Sequence, residues 1–378
     1  MKLLKVLIIL YSLLPNKALP ISTSAQQAIL YDVQTDTIIF EKNADELMSP
    51  SSMSKLMTVY YIFKKIDDGE ILLTDKFQVS EKAWKKGGSK MFLKVNSYVT
   101  IEDLLRGIIV QSGNDACITI AEGFSGSEDN FAKELNILAK EIGLTNSNFI
   151  NATGWPDIEH LMTARDVLKL SLRTIEDFPE LYKLYAQKEF TYNKIKQLNR
   201  NPLLYTDSSS DGLKTGHTSL GGFGLAASSE RNNRRIILVI NGLNSSKTRR
   251  EESKKLMNAA FFQYKNIIIT QDGKPFYSLK VWNGKKNKLK INAREKIGIT
   301  IPKTLSDNVK FIIKYRSPMS APINKNDEVA KLQVQKKNGD VIKEFSLFAS
   351  EDIKEVNFLS KLVFKFKYLI FGESIYSD

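Results

Sequence analysis

Short β-type runs at residues 28–31 and 37–41 flank the segment Asp32-Val33-Gln34-Thr35-Asp36, a pattern that predicts a hairpin. Pro50 and a cluster of serines then lead into the apolar-periodic segment Met53-Ser54-Lys55-Leu56-Met57-Thr58-Val59-Tyr60, which marks a helix N-terminus. Residues 101–109, 115–122 and 130–142 repeat helical patterns between Gly, Ser and Asn breaks, so the middle of the chain reads as mainly helical. After Ser208-Ser209-Ser210-Asp211-Gly212, three runs at residues 213–218, 222–227 and 234–241 read as strands, with Asn232-Asn233 as a tight turn between the last two. A helix over about residues 249–264 follows. Strands at both ends of a helical middle predict an antiparallel sheet with helices packed on its faces, an α/β (α+β) domain over residues 26–268.

From about residue 270 the texture changes to short alternating strands, at residues 277–282, 309–315, 332–335 and 341–348, the last two around Asn338-Gly339. That spacing predicts a small all-β domain of sandwich or barrel type over residues 269–352. In the tail, residues 353–378, an amphipathic helix is expected. At about 100° per residue, Phe358, Leu359, Leu362, Val363, Phe366, Leu369 and Ile370 share one arc, with Lys361 and Lys365 outside it. The segment is too short and too charged to span a bilayer. Phe364, Tyr368 and Phe371 lie off the apolar arc, which suits a helix lying in a membrane interface better than one packed on a domain core. At the other end, Met1-Lys2-Leu3-Leu4-Lys5 precedes an apolar run over residues 6–14, then Pro15 and the small residues Ser22-Thr23-Ser24-Ala25. This is the layout of a cleavable secretory signal over residues 1–25, the run falling short of the roughly 20 residues of a spanning helix. The alternative is a buried N-terminal strand.

Composition narrows the partners. At 378 residues and 42% hydrophobic content, two domains with at least one large core are expected. A formal charge of +13 suits nucleic acid, an anionic membrane surface or an anionic polymer such as a cell-wall glycan. The cations are dispersed, in runs no longer than Lys285-Lys286 or Arg249-Arg250, without interleaved aromatics, so nucleic acid is not the expected partner. The single cysteine, Cys117, permits no internal disulfide and sits in an apolar run, as a small buried hydrophobe does. The histidines are His160 and His217, which leaves no Cys/His metal cluster, and neither metal nor cofactor is expected.

With so few histidines a Ser-His-Asp enzyme has little support. Serine is also activated by a neutral lysine, and Ser52-Met53-Ser54-Lys55 puts a hydroxyl and an amine three residues apart on one face of a helical turn. The position near a helix N-terminus favours charge developing on an attacked carbonyl oxygen. Alone, the pair is a weak signal, and Ser52 is also readable as an N-cap serine. Ser112-Gly113-Asn114 follows in a break between helices, and Lys214-Thr215-Gly216 on an expected strand.

Ser-x-x-Lys, Ser-x-Asn and Lys-Thr-Gly, in that order, are the motif set of penicillin-binding proteins and serine β-lactamases. Gly88-Ser89-Lys90-Met91-Phe92, residues 111–117, Asn151-Ala152-Thr153-Gly154, Thr163-Ala164-Arg165-Asp166 and residues 211–218 extend the match over about residues 28–264. In these segments the chain resembles the low-molecular-mass D-alanyl-D-alanine carboxypeptidases. The resemblance implies a β-lactamase/transpeptidase-like domain that binds peptidoglycan stem peptides ending in D-Ala-D-Ala, with β-lactam antibiotics as covalent inhibitors. It implies Ser52 as nucleophile, Lys55 as its base, Ser112 as proton relay and Asn114 as a group holding the substrate amide or Lys55. It also implies an oxyanion hole from the backbone N–H groups of Ser52 and His217. Lys55 must be neutral, and burial and the positive Lys214 are expected to make it so. Lys214, Thr215, Gly216, His217 and Thr218 are the expected substrate strand, with Arg249 a further cation for the carboxylate; for Arg249 a solvated helix-start arginine is nearly equivalent, and for His217 the backbone is expected to matter more than the imidazole.

Three rivals remain: a β-lactamase, a DD-endopeptidase of the same superfamily, and a non-catalytic peptidoglycan-binding scaffold. Fast β-lactam hydrolysis needs a dedicated deacylating base, and no Glu-x-x-x-Asn signature of the class A type is expected over residues 154–201. The intact Ser52, Lys55, Ser112, Asn114 and Lys214 argue against the scaffold.

Overall fold

The run Ile236-Ile237-Leu238-Val239-Ile240 is apolar without alternation because its strand lies inside a sheet covered on both faces. In the computed structural model, which describes residues 21–270, 273–317 and 319–371, that sheet comprises β1 (Gln27–Asp32), β2 (Thr37–Lys42), β3 (Ser210–Thr218), β4 (Gly222–Arg231) and β5 (Arg234–Leu243). Its order is β2-β1-β5-β4-β3, antiparallel throughout. Asn232 and Asn233 both take left-handed conformations, at φ 51° and 59°, as a two-residue hairpin requires.

Side chains of alternate parity enter different cores. Ile29, Ala226, Ile237 and Val239 face a helical layer, whereas Ala28, Leu30, Leu225, Leu238 and Ile240 face Leu256, Met257 and Ala260. The helical layer contains α1 (Lys55–Asp67), α2 (Ile101–Gln111), α3 (Asn114–Ser125), α4 (Glu128–Glu141) and α5 (Ala164–Asp177); α6 (Ser246–Gln263) covers the opposite face. Every residue of α1 from Lys55 to Phe63 is buried, so this helix is the hub on which the layer packs.

Differences from the sequence reading have local causes. Strand β4 runs past residue 227 because Ser228 and Ser229, although polar, are fully buried; the Ser229 hydroxyl donates to Asp207. Helix α6 starts at Ser246 because the Ser245 hydroxyl accepts from the Thr248 amide. Helix α5 was not expected; Thr163 caps it by accepting from the Asp166 amide at 3.0 Å.

Residues 21–25 pack on this domain: Ala25 is buried, Ile21 meets the α6 core, and Lys42 Nζ donates to the carbonyls of Thr23 and Ala25. The rest of the expected signal lies outside the described residues.

The second domain begins at Tyr264, earlier than the pattern implied, because β6 (Tyr264–Thr270) already pairs with Ile297–Pro302. Its larger sheet runs in the order Val309–Tyr315, Glu328–Lys336, Val341–Ala349, β8 (Lys288–Asn292), β7 (Tyr277–Trp282) and Met319–Ser320. Polar contacts join the domains: buried Asp32 accepts from Arg234 Nε at 2.6 Å and Asn266 Nδ2 at 3.1 Å, and the Thr35 and Thr300 hydroxyls meet. Helix α7 (Phe358–Phe371) ends the described chain, and no helix among the described residues is long and apolar enough to cross a membrane.

Because α1 is the hub, truncation there should be costly away from the chemistry. Phe63, fully buried against Phe178 and Tyr185, is expected to lose about 3–5 kcal/mol as Phe63→Ala, read as a lower urea midpoint with an unchanged slope.

Candidate active site

Ser52 lies in a 3-10 turn, Ser51–Ser54, that runs directly into α1. At three residues per turn this geometry stacks positions i and i+3 more closely than an α-helix does, so Lys55 lies over Ser52. Lys55 Nζ is 2.9 Å from Ser52 Oγ, donates to Asn114 Oδ1 at 2.8 Å and also to the Thr153 carbonyl. The hydroxyl of Ser52 does not cap the helix; within this turn Ser54 Oγ bonds the Ser51 carbonyl.

Two glycines let the turn sit where it does. A Cβ on Gly216 of β3 would lie 2.7 Å from the Pro50 carbonyl oxygen, and one on Gly154, at φ +69°, would lie 2.1 Å from that of Ser51. Strand β3 and the 151–154 segment therefore press on the Ser51–Ser54 turn backbone to backbone.

Ser112 closes α2 in a left-handed conformation, at φ 61°, and Asn114 opens α3 two residues later. This break turns both side chains toward the site. Lys214, on β3, donates to Ser112 Oγ at 2.9 Å and to the Thr215 carbonyl at 3.1 Å. Each of the two serines thus has a lysine as its hydrogen-bond partner. Asn114 Nδ2 donates to the Gly87 carbonyl and Asp115 accepts from the amides of Met91 and Leu93, so α3 also fastens the 87–93 loop beside the site.

Lys55 is wholly buried and Lys214 is 2% exposed. Burial pushes Lys55 down to about 8, with the charges of Arg200 and Lys86 acting in the same direction. Lys214 is held well below the usual lysine range by burial first, then by the charges of Lys55 and Arg200. Beside burial, the cations that lower Lys55 are thus Arg200 and Lys86, not the expected Lys214, whose own lowering is where the pair's repulsion is felt. Arg200 follows the 189–198 hairpin and donates to Ser89 Oγ at 2.6 Å; nothing in the local pattern distinguishes it from a surface arginine. The Thr153 carbonyl was equally invisible, because its role belongs to the backbone.

Arg249 is 8% exposed and not solvated, unlike the exposed Arg250. Its Nη1 lies 3.4 Å from the Gly216 carbonyl, its guanidinium sits over the Phe223 ring, and burial lowers it to about 10. His217 is exposed and stacks on Phe223 with centroids 3.8 Å apart, while its backbone lies in the ladder opposite Phe223. Thr215 is buried, and the Thr218 hydroxyl meets Ser51 Oγ at 2.8 Å. Cys117 is buried in α3, its thiol pushed up to about 12 by that burial. A Glu-x-x-x-Asn spacing does occur in residues 154–201, at Glu189 and Asn193, contrary to the sequence reading. Glu189 is exposed on a hairpin and pairs with Lys196 at 2.7 Å, and Asn193 donates to the Phe92 carbonyl, so neither is engaged with Ser52.

Residues 15–245 match the model of the D-alanyl-D-alanine carboxypeptidase family, peptidase S11, and residues 264–355 match that of the penicillin-binding protein 5 C-terminal domain. The chain is 35% identical to the D-alanyl-D-alanine carboxypeptidase DacC of Escherichia coli (strain K12), covering 90% of this chain and 87% of the relative. It is 37% identical to DacA of Haemophilus influenzae, over 91% and 88% of the two chains. Among solved structures, penicillin-binding protein 5 from Haemophilus influenzae superposes with a TM-score of 0.80 at 36% identity, over 89% of this chain and 99% of that one. With its paired serine and lysine sites on this two-domain frame, the chain belongs to the D-alanyl-D-alanine carboxypeptidase family.

Proposed function

We propose that the chain is a serine-type D-Ala-D-Ala carboxypeptidase that removes the terminal D-alanine of peptidoglycan stem pentapeptides through an acyl-enzyme on Ser52. The observation that carries this reading is Lys55, buried, lowered to about 8 and 2.9 Å from Ser52 Oγ. Ser52 Oγ attacks the carbonyl carbon of the penultimate D-alanine while its proton passes to Lys55 Nζ. The backbone N–H groups of Ser52 and His217 receive the oxyanion. The C–N bond then breaks as Ser112, held by Lys214, relays the proton taken up by Lys55 to the departing amine, which leaves Ser112 intact and Lys55 neutral again. D-Alanine leaves, and water attacks the ester to regenerate Ser52. Lys214, Thr215, Thr218 and Arg249 supply the cations and hydroxyls for the substrate carboxylate.

A β-lactam acylates the same serine, but its leaving amine stays tethered in the opened ring. No carboxylate bonds Ser52 or Lys55 among the described residues, so penicillin should leave slowly. Exposed apolar residues along α7, from Phe358 to Ile370, support peripheral anchoring to the outer face of the cytoplasmic membrane after export. The packing of residues 21–25 on the catalytic domain supports processing upstream of residue 21 over the expected cut after Ala25.

Wild-type protein should release D-alanine from a pentapeptide, and Ser52→Ala should release about 1,000-fold less or worse and take up no fluorescent penicillin; equal release by the variant, or fast multiple turnover of penicillin by the wild type, would refute the assignment. A lysine lowered to about 8 is protonated and inert as a base below that pH. The second-order acylation rate should therefore rise with pH through an apparent pKa of about 8, and a flat profile from pH 6 to pH 9 (about two units below and one above) would exclude Lys55 as the base. Truncation before Asn357 should move the protein from the membrane to the soluble fraction, and an unchanged membrane fraction contradicts the anchor.

A further inference from the structure

Along β8 the buried Leu289 and Ile291 alternate with exposed Lys288 and Lys290, and the preceding turn carries exposed Lys285 and Lys286. The β7–β8 hairpin therefore presents a lysine-rich outer face. The segment leading to α7 is fastened to that hairpin. Val356 donates its amide to the Asn283 carbonyl at 2.9 Å, the Lys285 amide donates to the Lys354 carbonyl at 2.8 Å, and Gly284 bridges Glu355. The contact is close enough that a Cβ on Gly284 would lie 2.8 Å from Ile353 Cγ2.

Asn357 then caps α7 by accepting the Ser360 amide at 3.0 Å. The helix turns Ser360, Lys361 and Phe364, all partly buried, toward the domain, and Phe364 lines one recess with Lys285, Lys286, Lys288 and Lys290. Phe364 was expected off the apolar arc, and here it occupies the docking side; the side chains of Tyr368 and Phe371 lie outside the described residues. The stripe of Leu359, Leu362, Val363, Phe366 and Leu369 points away, exposed by 50–86%. Carboxylates offset part of the charge: Glu351 pairs with Lys286, and Glu355 with Lys361 at 2.6 Å. Lys285, Lys288, Lys290, Lys354 and Lys365 have no carboxylate partner among the described residues.

From this juxtaposition we infer that the β7–β8 hairpin is a second membrane contact, whose lysines bind anionic lipid headgroups while α7 lies in the interface. This rests on the reading of α7 as an anchor, and it assigns the lipid class. A weak apolar insertion and a basic patch together give stable attachment where either alone is marginal. Here the two are held in fixed relation by the backbone bonds at residues 283–285 and 354–356.

The test is sedimentation of the full chain with vesicles of phosphatidylcholine alone or mixed with phosphatidylglycerol. Wild type should bind the mixed vesicles about tenfold or more tightly than the neutral ones, and high salt should erase that preference. Lys285→Gln, Lys286→Gln, Lys288→Gln and Lys290→Gln combined should abolish most of the preference, leaving neutral-vesicle binding and penicillin acylation unchanged; the corresponding Arg replacements should restore it. Leu362→Glu with Phe366→Glu should weaken binding to both vesicle types, and failure to do so refutes the anchor itself. An undiminished preference in the Gln variant, no salt-sensitive preference in the wild type, or loss by the Gln variant of peptidoglycan-sacculus binding with vesicle binding intact would each overturn the hairpin's role.

Discussion

Two lysine amines are removed from water in one site, and the rest of the catalytic domain can be understood as the means of keeping them there. An isolated buried ammonium is costly, and a second beside it raises the cost of both. The fold meets this with oxygen acceptors in place of counter-ions. Ser52, Asn114 and the Thr153 carbonyl surround Lys55; Ser112 and the Thr215 carbonyl receive Lys214. Hydroxyls and amides solvate a charge without fixing it, so a proton held on Lys55 remains available for transfer. A carboxylate in the same place would hold the lysine charged.

Such a site cannot be built on one element. The acceptors come from the 3-10 turn before α1, the break between α2 and α3, the 151–154 segment and β3. These are brought together because α1 is buried on all sides and because the sheet is covered on both faces, which leaves β3 no freedom to slide past the helical layer. The long, unalternating apolar run of β5 serves the chemistry indirectly, by fixing the sheet to which the lysine-bearing strand belongs.

What the sequence disclosed and withheld follows from the same physics. Ser52, Lys55, Ser112, Asn114 and Lys214 were expected together because side-chain chemistry requires particular residue types in short motifs, and the structure brings them into hydrogen-bonding contact. The hairpin at Asn232-Asn233 was readable because only a few residues accept left-handed backbone cheaply. The Thr153 carbonyl was not, since any residue supplies one. Arg200 was not, because a cation's effect on a distant pair in sequence depends on burial, which a local pattern does not carry. The inward extension of β4 was hidden by Ser228 and Ser229, whose polarity argued for the surface while Asp207 and the ladder satisfied Ser229 inside. In the β-domain the alternation of β8 marked its core face correctly, while its opposite face, lysines beside an apolar helix, acquired meaning only once α7 was seen to be tied there.

Gly154 and Gly216 set a different kind of limit. Both approach the carbonyls of the turn that carries Ser52, at Ser51 and Pro50, closely enough that a single added carbon has no space. The position of Ser52 is therefore defined by main-chain surfaces in contact, with no side chain between them to be exchanged. Drift in the surrounding amino acids leaves such a contact untouched, whereas one methyl group at either glycine displaces it. For this site, evolutionary freedom is measured in volume: wide where side chains meet, and close to zero where backbones do.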